Sequence, residues 1–204
     1  MNRLVAAAVA GLLTAFSATD GRAAEATPPA EDWSFGGIFG TFDRGALQRG
    51  FQVYRQVCAS CHGVDLIAFR NLTDLGYTPE EVQEIAAQYE VEDGPDEEGE
   101  MFMRPGKAAD TFPSPFPNEQ MARAANGGAL PPDLSLITKA RAGESVFKAT
   151  KFREYGTDYV YGILTGYKDE VPEDVELMEG MYYNEYFPGH QIAMAPPLYD
   201  EAVE

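Results

Sequence analysis

The chain has 204 residues, of which 45% are hydrophobic and 12% aromatic, a composition that indicates a folded domain with a sizeable core rather than a disordered chain. Its formal net charge is −18. A protein with this charge is repelled by nucleic acid and by anionic lipid surfaces, so binding to these polyanions is excluded. The acidity fits either general solubility or docking to a cationic partner.

The first residues predict an export signal. A positive start at Met1–Arg3 is followed by an apolar run from Leu4 to Ala18 and by small residues up to Ala24. The apolar run is short for a membrane span, so a signal peptide over 1–24 is favoured over an uncleaved anchor. The proline-containing stretch 25–32 is predicted to be a flexible leader.

A helix and a cysteine motif follow. Asp43 is the expected N-cap of a helix with apolar residues at 47, 51, 54 and 57, and this helix runs into Cys58-Ala59-Ser60-Cys61-His62. Two cysteines two residues apart, followed at once by histidine, are typical of covalent haem attachment, with one thioether from each sulfur and an axial bond from the imidazole. The alternatives are a redox dithiol, a disulfide and half a zinc site, but the chain has only two cysteines and two histidines.

Further helices are predicted from capping residues. One helix is predicted to start at Thr78, with Pro79 and Glu81 in its first turn. A second starts at Asn118 and ends at Gly127-Gly128, and a third starts at Asp133 and ends at Gly143. The run Thr157–Tyr167 predicts a fourth helix. The acidic stretches 90–100 and 168–176 are expected to be solvated loops, and no alternating strand pattern is evident. The fold class is therefore mostly α, with long ordered loops around one haem.

The second axial ligand of the iron is the main open question. Met194 is favoured because small residues and two prolines surround it, which lets a stiff loop approach the porphyrin closely. His190 and the other methionines remain alternatives, namely Met101, Met103, Met121, Met178 and Met181. An open iron site would instead indicate ligand binding or peroxidase-like chemistry.

Longer strings of residues carry a family resemblance. From Trp33 to the end, the chain is similar to cytochrome c1, the haem subunit of the cytochrome bc1 complex. The strings are RGFQVYRQVCASCH at 49–62, DGP at 93–95, GEMFMRPGK at 99–107, ARAANGGALPPDLS at 122–135, YFPG at 186–189 and MAPPLY at 194–199.

The resemblance implies one haem c attached through Cys58 and Cys61, with His62 and Met194 as the axial pair. The matching haem-edge and propionate contacts are Arg141, Tyr159, Asn126 and Pro132. A guanidinium such as that of Arg141 can neutralise a propionate, although it could also be an exposed cation at a helix end.

The resemblance also implies a role and a location. The domain over 33–204 would accept an electron from the Rieske iron–sulfur protein and pass it to a soluble cytochrome c, beside cytochrome b, on the periplasmic face of the bacterial inner membrane. It would be a redox subunit without substrate chemistry of its own. The family's C-terminal transmembrane helix has no counterpart before Glu204, so a freely diffusing periplasmic cytochrome is the alternative.

Overall fold

The computed structural model describes residues 27–142 and 155–203. The predicted signal peptide and the predicted helix end at Gly143 lie outside these residues. The described helices are α1 (Arg44–Gln56), α2 (Pro79–Ala86), α3 (Glu119–Ala125), α4 (Ile137–Ala140) and α5 (Tyr155–Thr165), with 3-10 turns at Cys58–Ser60, Phe69–Leu75 and Pro188–His190. The strands are β1 (Glu90–Asp93), β2 (Phe102–Pro105), β3 (Tyr182–Tyr183) and β4 (Gln191–Ile192). The prediction of a mostly α fold is confirmed.

The predicted helix starts at Asp43, Thr78 and Asn118 are confirmed by their caps. The Asp43 carboxylate accepts from the N–H of Ala46 at 3.1 Å, and the Asn118 side chain accepts from that of Met121 at 3.0 Å. Thr78 and Glu81 form a capping box. Each cap satisfies backbone donors that the first helical turn leaves without partners.

An aromatic core anchors the first half of the domain. Phe69 is fully buried, and its ring lies 4.2 Å from that of Phe112 between centroids; Phe51 of α1 meets Phe112 edge-on at 5.9 Å. Leu72 and the α2 residues Val82, Ile85 and Ala86 complete the cluster. Because Phe51 lies in this core, α1 is held rigidly and the motif that follows it has a defined position.

The acidic stretch 90–100 is partly a strand, contrary to the loop prediction. β1 pairs antiparallel with β2, and the side chain of Arg104 in β2 bridges Asp93 and Asp110. The Arg104 hydrogen bonds lower the pKa of Asp110 to about 2. The alternating pattern that marks a strand is hidden here because this two-stranded hairpin is largely exposed and so needs no apolar face.

The last third of the chain is organised by α5, which begins two residues before the predicted start and ends just before Gly166, as expected. Buried Asn184 donates from its side-chain amide to the Ile163 carbonyl at 2.8 Å and accepts from the N–H of Tyr186. A Cβ at Gly166 would lie 2.5 Å from the Tyr186 ring, so glycine is required for this close packing. The β3–β4 hairpin is thereby joined to the end of α5.

The aromatic loop after the predicted leader packs against α5. The Trp33 indole N–H donates to the buried carboxylate of Asp158 at 2.8 Å, and its ring meets Tyr161 edge-on. At the tip of this loop Ile38 and Phe39 are 77% and 94% exposed. In the described part of the chain, no helix is both long enough and apolar enough to cross a bilayer.

The helix predicted to begin at Asp133 is wrong in its start. α4 begins at Ile137 without a side-chain cap. Asp133 instead uses its carboxylate to accept from the N–H groups of Asp65 and Ser135, at 2.7 and 2.9 Å. A cap residue and a loop-bridging aspartate look alike in sequence, since both place a carboxylate next to backbone N–H groups.

Candidate haem site

The cysteine motif forms a tight turn directly after α1. Cys58–Ser60 is a single 3-10 turn, and the Cys58 carbonyl accepts from the N–H groups of Cys61 at 3.1 Å and His62 at 2.9 Å. Both thiols are unbridged and half-buried, and burial raises the pKa of Cys58. The turn therefore places two sulfurs and one imidazole in a single compact segment.

The His62 ring has a defined hydrogen-bond partner. Its Nδ1 lies 2.7 Å from the carbonyl oxygen of Pro132. A carbonyl can only accept, so Nδ1 carries a proton, and in the neutral imidazole Nε2 then keeps its lone pair. This is the tautomer that an axial iron ligand needs, and it gives Pro132, predicted only as a haem-edge contact, a role in orienting the histidine.

Tyr54 supports the same histidine from the helix. Its hydroxyl donates to the His62 carbonyl at 3.2 Å, and its ring packs edge-on against Phe112 in the aromatic core. Burial raises the pKa of this phenol, so it remains a donor at neutral pH. In the sequence Tyr54 is only one of the apolar positions of α1, which gave no sign of this second contact.

The segment from Pro132 to Ser135 is bonded along the residues that follow His62. The Leu134 N–H donates to the Gly63 carbonyl at 2.8 Å, and the Leu66 N–H donates to the Ser135 hydroxyl at 3.1 Å. Burial and the neighbouring Asp133 raise the pKa of Asp65. Burial alone would raise the pKa of Asp133, but hydrogen bonds from Ser135 and Asp65 outweigh it and lower that pKa.

Met194 lies in a loop that is tied down through its backbone. It lies two residues after the end of β4, it is half-buried, and its carbonyl accepts from the Tyr167 hydroxyl at 2.8 Å. Burial raises the pKa of Tyr167 to about 12, so the donor proton is retained. By contrast, Met101, Met103, Met121 and Met178 are all more than half exposed, whereas Met181 is partly buried like Met194.

His190 has contacts of its own. It adopts a left-handed backbone conformation with φ of 60°, and its Nδ1 lies 3.4 Å from the Asn184 carbonyl. Its ring centroid lies 5.8 Å from that of Tyr183. These contacts hold the imidazole beside the β3–β4 hairpin, and His190 stays an alternative to Met194 as the second ligand.

The remaining predicted contacts lie on three elements. Arg141 is exposed at the C-terminal end of α4, and Tyr159 is half-buried in the neighbouring α5. A Cβ at Gly156 would lie 1.8 Å from the Thr138 carbonyl, so these two helices touch backbone to backbone. Asn126 closes α3, where its side-chain amide donates to the Ala122 carbonyl at 2.7 Å. Their contacts with haem remain predictions.

The donor types fit a covalently bound haem. Two free thiols and an imidazole that is hydrogen-bonded through Nδ1 lie in one turn, and Met194 offers a thioether in a partly buried loop; these are the kinds of group that a six-coordinate c-type haem requires. A mostly helical domain with this attachment turn defines the c-type cytochrome class.

Comparison with known proteins specifies the family. The Cytochrome C1 family model matches residues 33–204. The chain is 54% identical to "Cytochrome b/c1" of Bradyrhizobium diazoefficiens over 98% of its own length and 31% of that protein, and 52% identical to "Cytochrome c1-2, heme protein, mitochondrial" of Solanum tuberosum over 86% and 63%. With "Cytochrome c1" of Rhodospirillum rubrum it shares 45% identity over 85% and 65%. The chain therefore belongs to the cytochrome c1 family.

The chain spans about a third of the first of these relatives and less than two thirds of the other two. Proteins of the family carry one covalently attached haem c, and Cys58 and Cys61 have the spacing that this attachment needs.

Proposed function

We propose that this chain is the electron-transfer haem domain of a membrane-associated cytochrome bc1 complex. The observation that supports this most directly is the 2.7 Å hydrogen bond from His62 to Pro132, because it orients the imidazole and leaves Nε2 as the nitrogen that can bind iron. Bound haem would supply one-electron chemistry between ferric and ferrous iron. Cys58 and Cys61 would hold the haem, and His62 and Met194 would be its axial ligands.

The residues of the chain give this role its physical basis. The aromatic core and Tyr54 keep His62 in place, and the Tyr167 bond restrains the backbone of Met194. A site whose ligands are held before the electron arrives moves little when the iron changes charge, which keeps the barrier to transfer low. Arg141 and Tyr159 would bind the propionates and limit access of water.

The proposed partners are a Rieske iron–sulfur protein as donor and a soluble cytochrome c as acceptor, beside cytochrome b. The relatives named as cytochrome b/c1 and as a b-c1 complex subunit support a complex with cytochrome b. The exposed tip residues Ile38 and Phe39 support burial against another subunit, since a monomer gains nothing from displaying them. We place the domain on the periplasmic face of the bacterial inner membrane.

Two exposed acidic stretches are candidate docking sites for the acceptor. The stretch 169–176 is largely exposed, and so are Asp96, Glu97 and Glu98 in the turn of the β1–β2 hairpin. A basic cytochrome c would be steered to such a surface, and its association rate would fall steeply as salt is added.

The test is stopped-flow oxidation of the matured, reduced protein by a basic cytochrome c. We expect rapid oxidation whose rate falls at least tenfold between about 10 mM and 200 mM salt, because screening shortens the Debye length from about 30 Å to below 10 Å. An acidic cytochrome c of similar potential is the control and should react slowly at low salt. Failure to exchange electrons with either protein would contradict the proposed function.

A further inference from the structure

The Asp133 carboxylate joins two segments beside the axial histidine. One oxygen accepts from the N–H of Asp65 at 2.7 Å, and the other accepts from the N–H of Ser135 at 2.9 Å. Asp133 directly follows Pro132, whose carbonyl receives the Nδ1 proton of His62. Asp133 is thus next to the residue that accepts the His62 hydrogen bond, and its carboxylate binds Asp65, which lies three residues after His62.

Two neighbouring hydrogen bonds join the same two segments, residues 63–66 and 132–135. We call these two bonds, together with the two that the Asp133 carboxylate accepts, the seam. The Leu134 N–H donates to the Gly63 carbonyl at 2.8 Å, and the Leu66 N–H donates to the Ser135 hydroxyl at 3.1 Å. A Cβ at Gly63 would lie 2.7 Å from the Asp65 carboxylate and 3.4 Å from that of Asp133. The Asp133 carboxylate therefore lies directly against the residue that follows His62.

We propose that Asp133 is a positioning residue that holds the Pro132 carbonyl on His62 and thereby tunes the reduction potential of the haem. This inference rests on the proposed ligation of iron by His62. A hydrogen bond to the second nitrogen of a ligating imidazole raises its basicity and favours ferric iron, which lowers the potential. Loosening the seam weakens that bond and raises the potential.

The experiment is a redox titration of full-length, matured variants at fixed pH and salt. Asp133→Ala removes both acceptor oxygens, and we expect its midpoint potential to rise above that of the wild type. Asp133→Asn keeps one acceptor oxygen and should lie between the two. Asp65→Asn is the charge reference, because Asp65 contributes its backbone N–H to the seam while its carboxylate accepts none of the four seam bonds.

A second readout follows the hydrogen bond itself. In the reduced, diamagnetic protein, the Nδ1 proton of His62 should exchange with solvent at least tenfold faster in Asp133→Ala than in the wild type. Faster exchange with a raised potential supports the proposal. Asp133→Ala with bound haem and an unchanged potential would overturn it, as would a shift no larger than that of Asp65→Asn.

If Asp133→Ala does not incorporate haem, a milder variant can be measured instead. Ser135→Ala removes the Leu66 bond and the hydroxyl contact with Asp133 but leaves the carboxylate in place, so it should raise the potential by less than the loss of Asp133. If Ser135→Ala and Asp133→Asn both match the wild type in potential and in proton exchange, the proposal is wrong. Loss of electron exchange with cytochrome c in the wild type would instead contradict the proposed function, because the titration needs no partner.

Discussion

The two predicted axial ligands are held in different ways. The segment of His62 is bonded to α1 through Tyr54 and to Pro132, Asp133 and Leu134 across a seam of short hydrogen bonds. Met194 is reached by the Tyr167 bond to its backbone, and its loop depends on the packing of a hairpin against α5.

This difference predicts how each ligand responds when one of its supporting hydrogen bonds is lost. On the His62 side several hydrogen bonds hold the histidine, so the loss of one should change its position and the reduction potential only gradually. On the Met194 side, the Tyr167 hydroxyl reaches the Met194 backbone directly, and fully buried Asn184 links the end of α5 to the β3–β4 hairpin. We therefore expect the methionine side to fail more abruptly.

The largest effect is expected from removing the methionine sulfur. Met194→Leu should lower the midpoint potential by on the order of 0.1 V or more, because axial ligands set haem potentials over about 0.8 V and a thioether favours ferrous iron. It should also open the iron to carbon monoxide, as monitored by absorption spectroscopy.

Met121→Leu is the matched control, since Met121 lies on α3 and is 53% exposed. Its potential should equal that of the wild type. If Met194→Leu behaves like this control, another residue is the ligand, and His190 is the first to test. In that case the second ligand would be held by the contacts of the β3–β4 hairpin instead of by the Tyr167 bond.

A smaller effect is expected from Asn184. Asn184→Ala should reduce the free energy of unfolding by about 3 kcal/mol, because it leaves the buried Ile163 carbonyl and the Tyr186 N–H without their partner. Asn118→Ala, which removes an exposed helix cap, should cost about 1 kcal/mol. Urea unfolding of both variants measures the difference. Equal losses would show that Asn184 does not organise the methionine side.

The haem attachment could be predicted from sequence because it is local. Cys58, Cys61 and His62 lie within one turn, and α1 before them has strong capping and periodicity. The bond between His62 and Pro132 spans 70 positions, so no local pattern reveals it. Pro132 is predicted only through the family resemblance, which does not indicate that its carbonyl contacts His62.

The residues that sequence reasoning missed make long-range polar contacts. Asp133 was interpreted as a helix cap, and Asn184 and Tyr167 were not singled out. Their partners lie 68, 21 and 27 positions away, respectively. A polar residue that is buried by the fold looks like a surface residue in the sequence, because burial depends on which segments pack together. The β1–β2 hairpin was missed because its two faces are both largely polar or exposed.

The smallest expected effect concerns pH, and it separates the two sides further. Arg104 lowers the pKa of Asp110 to about 2 in the folded state, whereas an unfolded aspartate titrates near about 3.9. A depressed pKa means that the ionised form stabilises the fold. This stabilisation is complete above about pH 5 and is lost as the pH falls from there toward 2. On the Met194 side the Asn184 contacts are uncharged and should not change in this range.

Asp110→Asn should therefore lower the free energy of unfolding by about 2 kcal/mol at pH 7, because charge-assisted hydrogen bonds to Arg104 are lost. The gap to the wild type should narrow between pH 5 and pH 2, as followed by urea titrations at each pH. The loss caused by Asn184→Ala should be the same at pH 7 and pH 4. If the Asp110→Asn gap stayed constant down to pH 2, the ion pair would not be the source of stability.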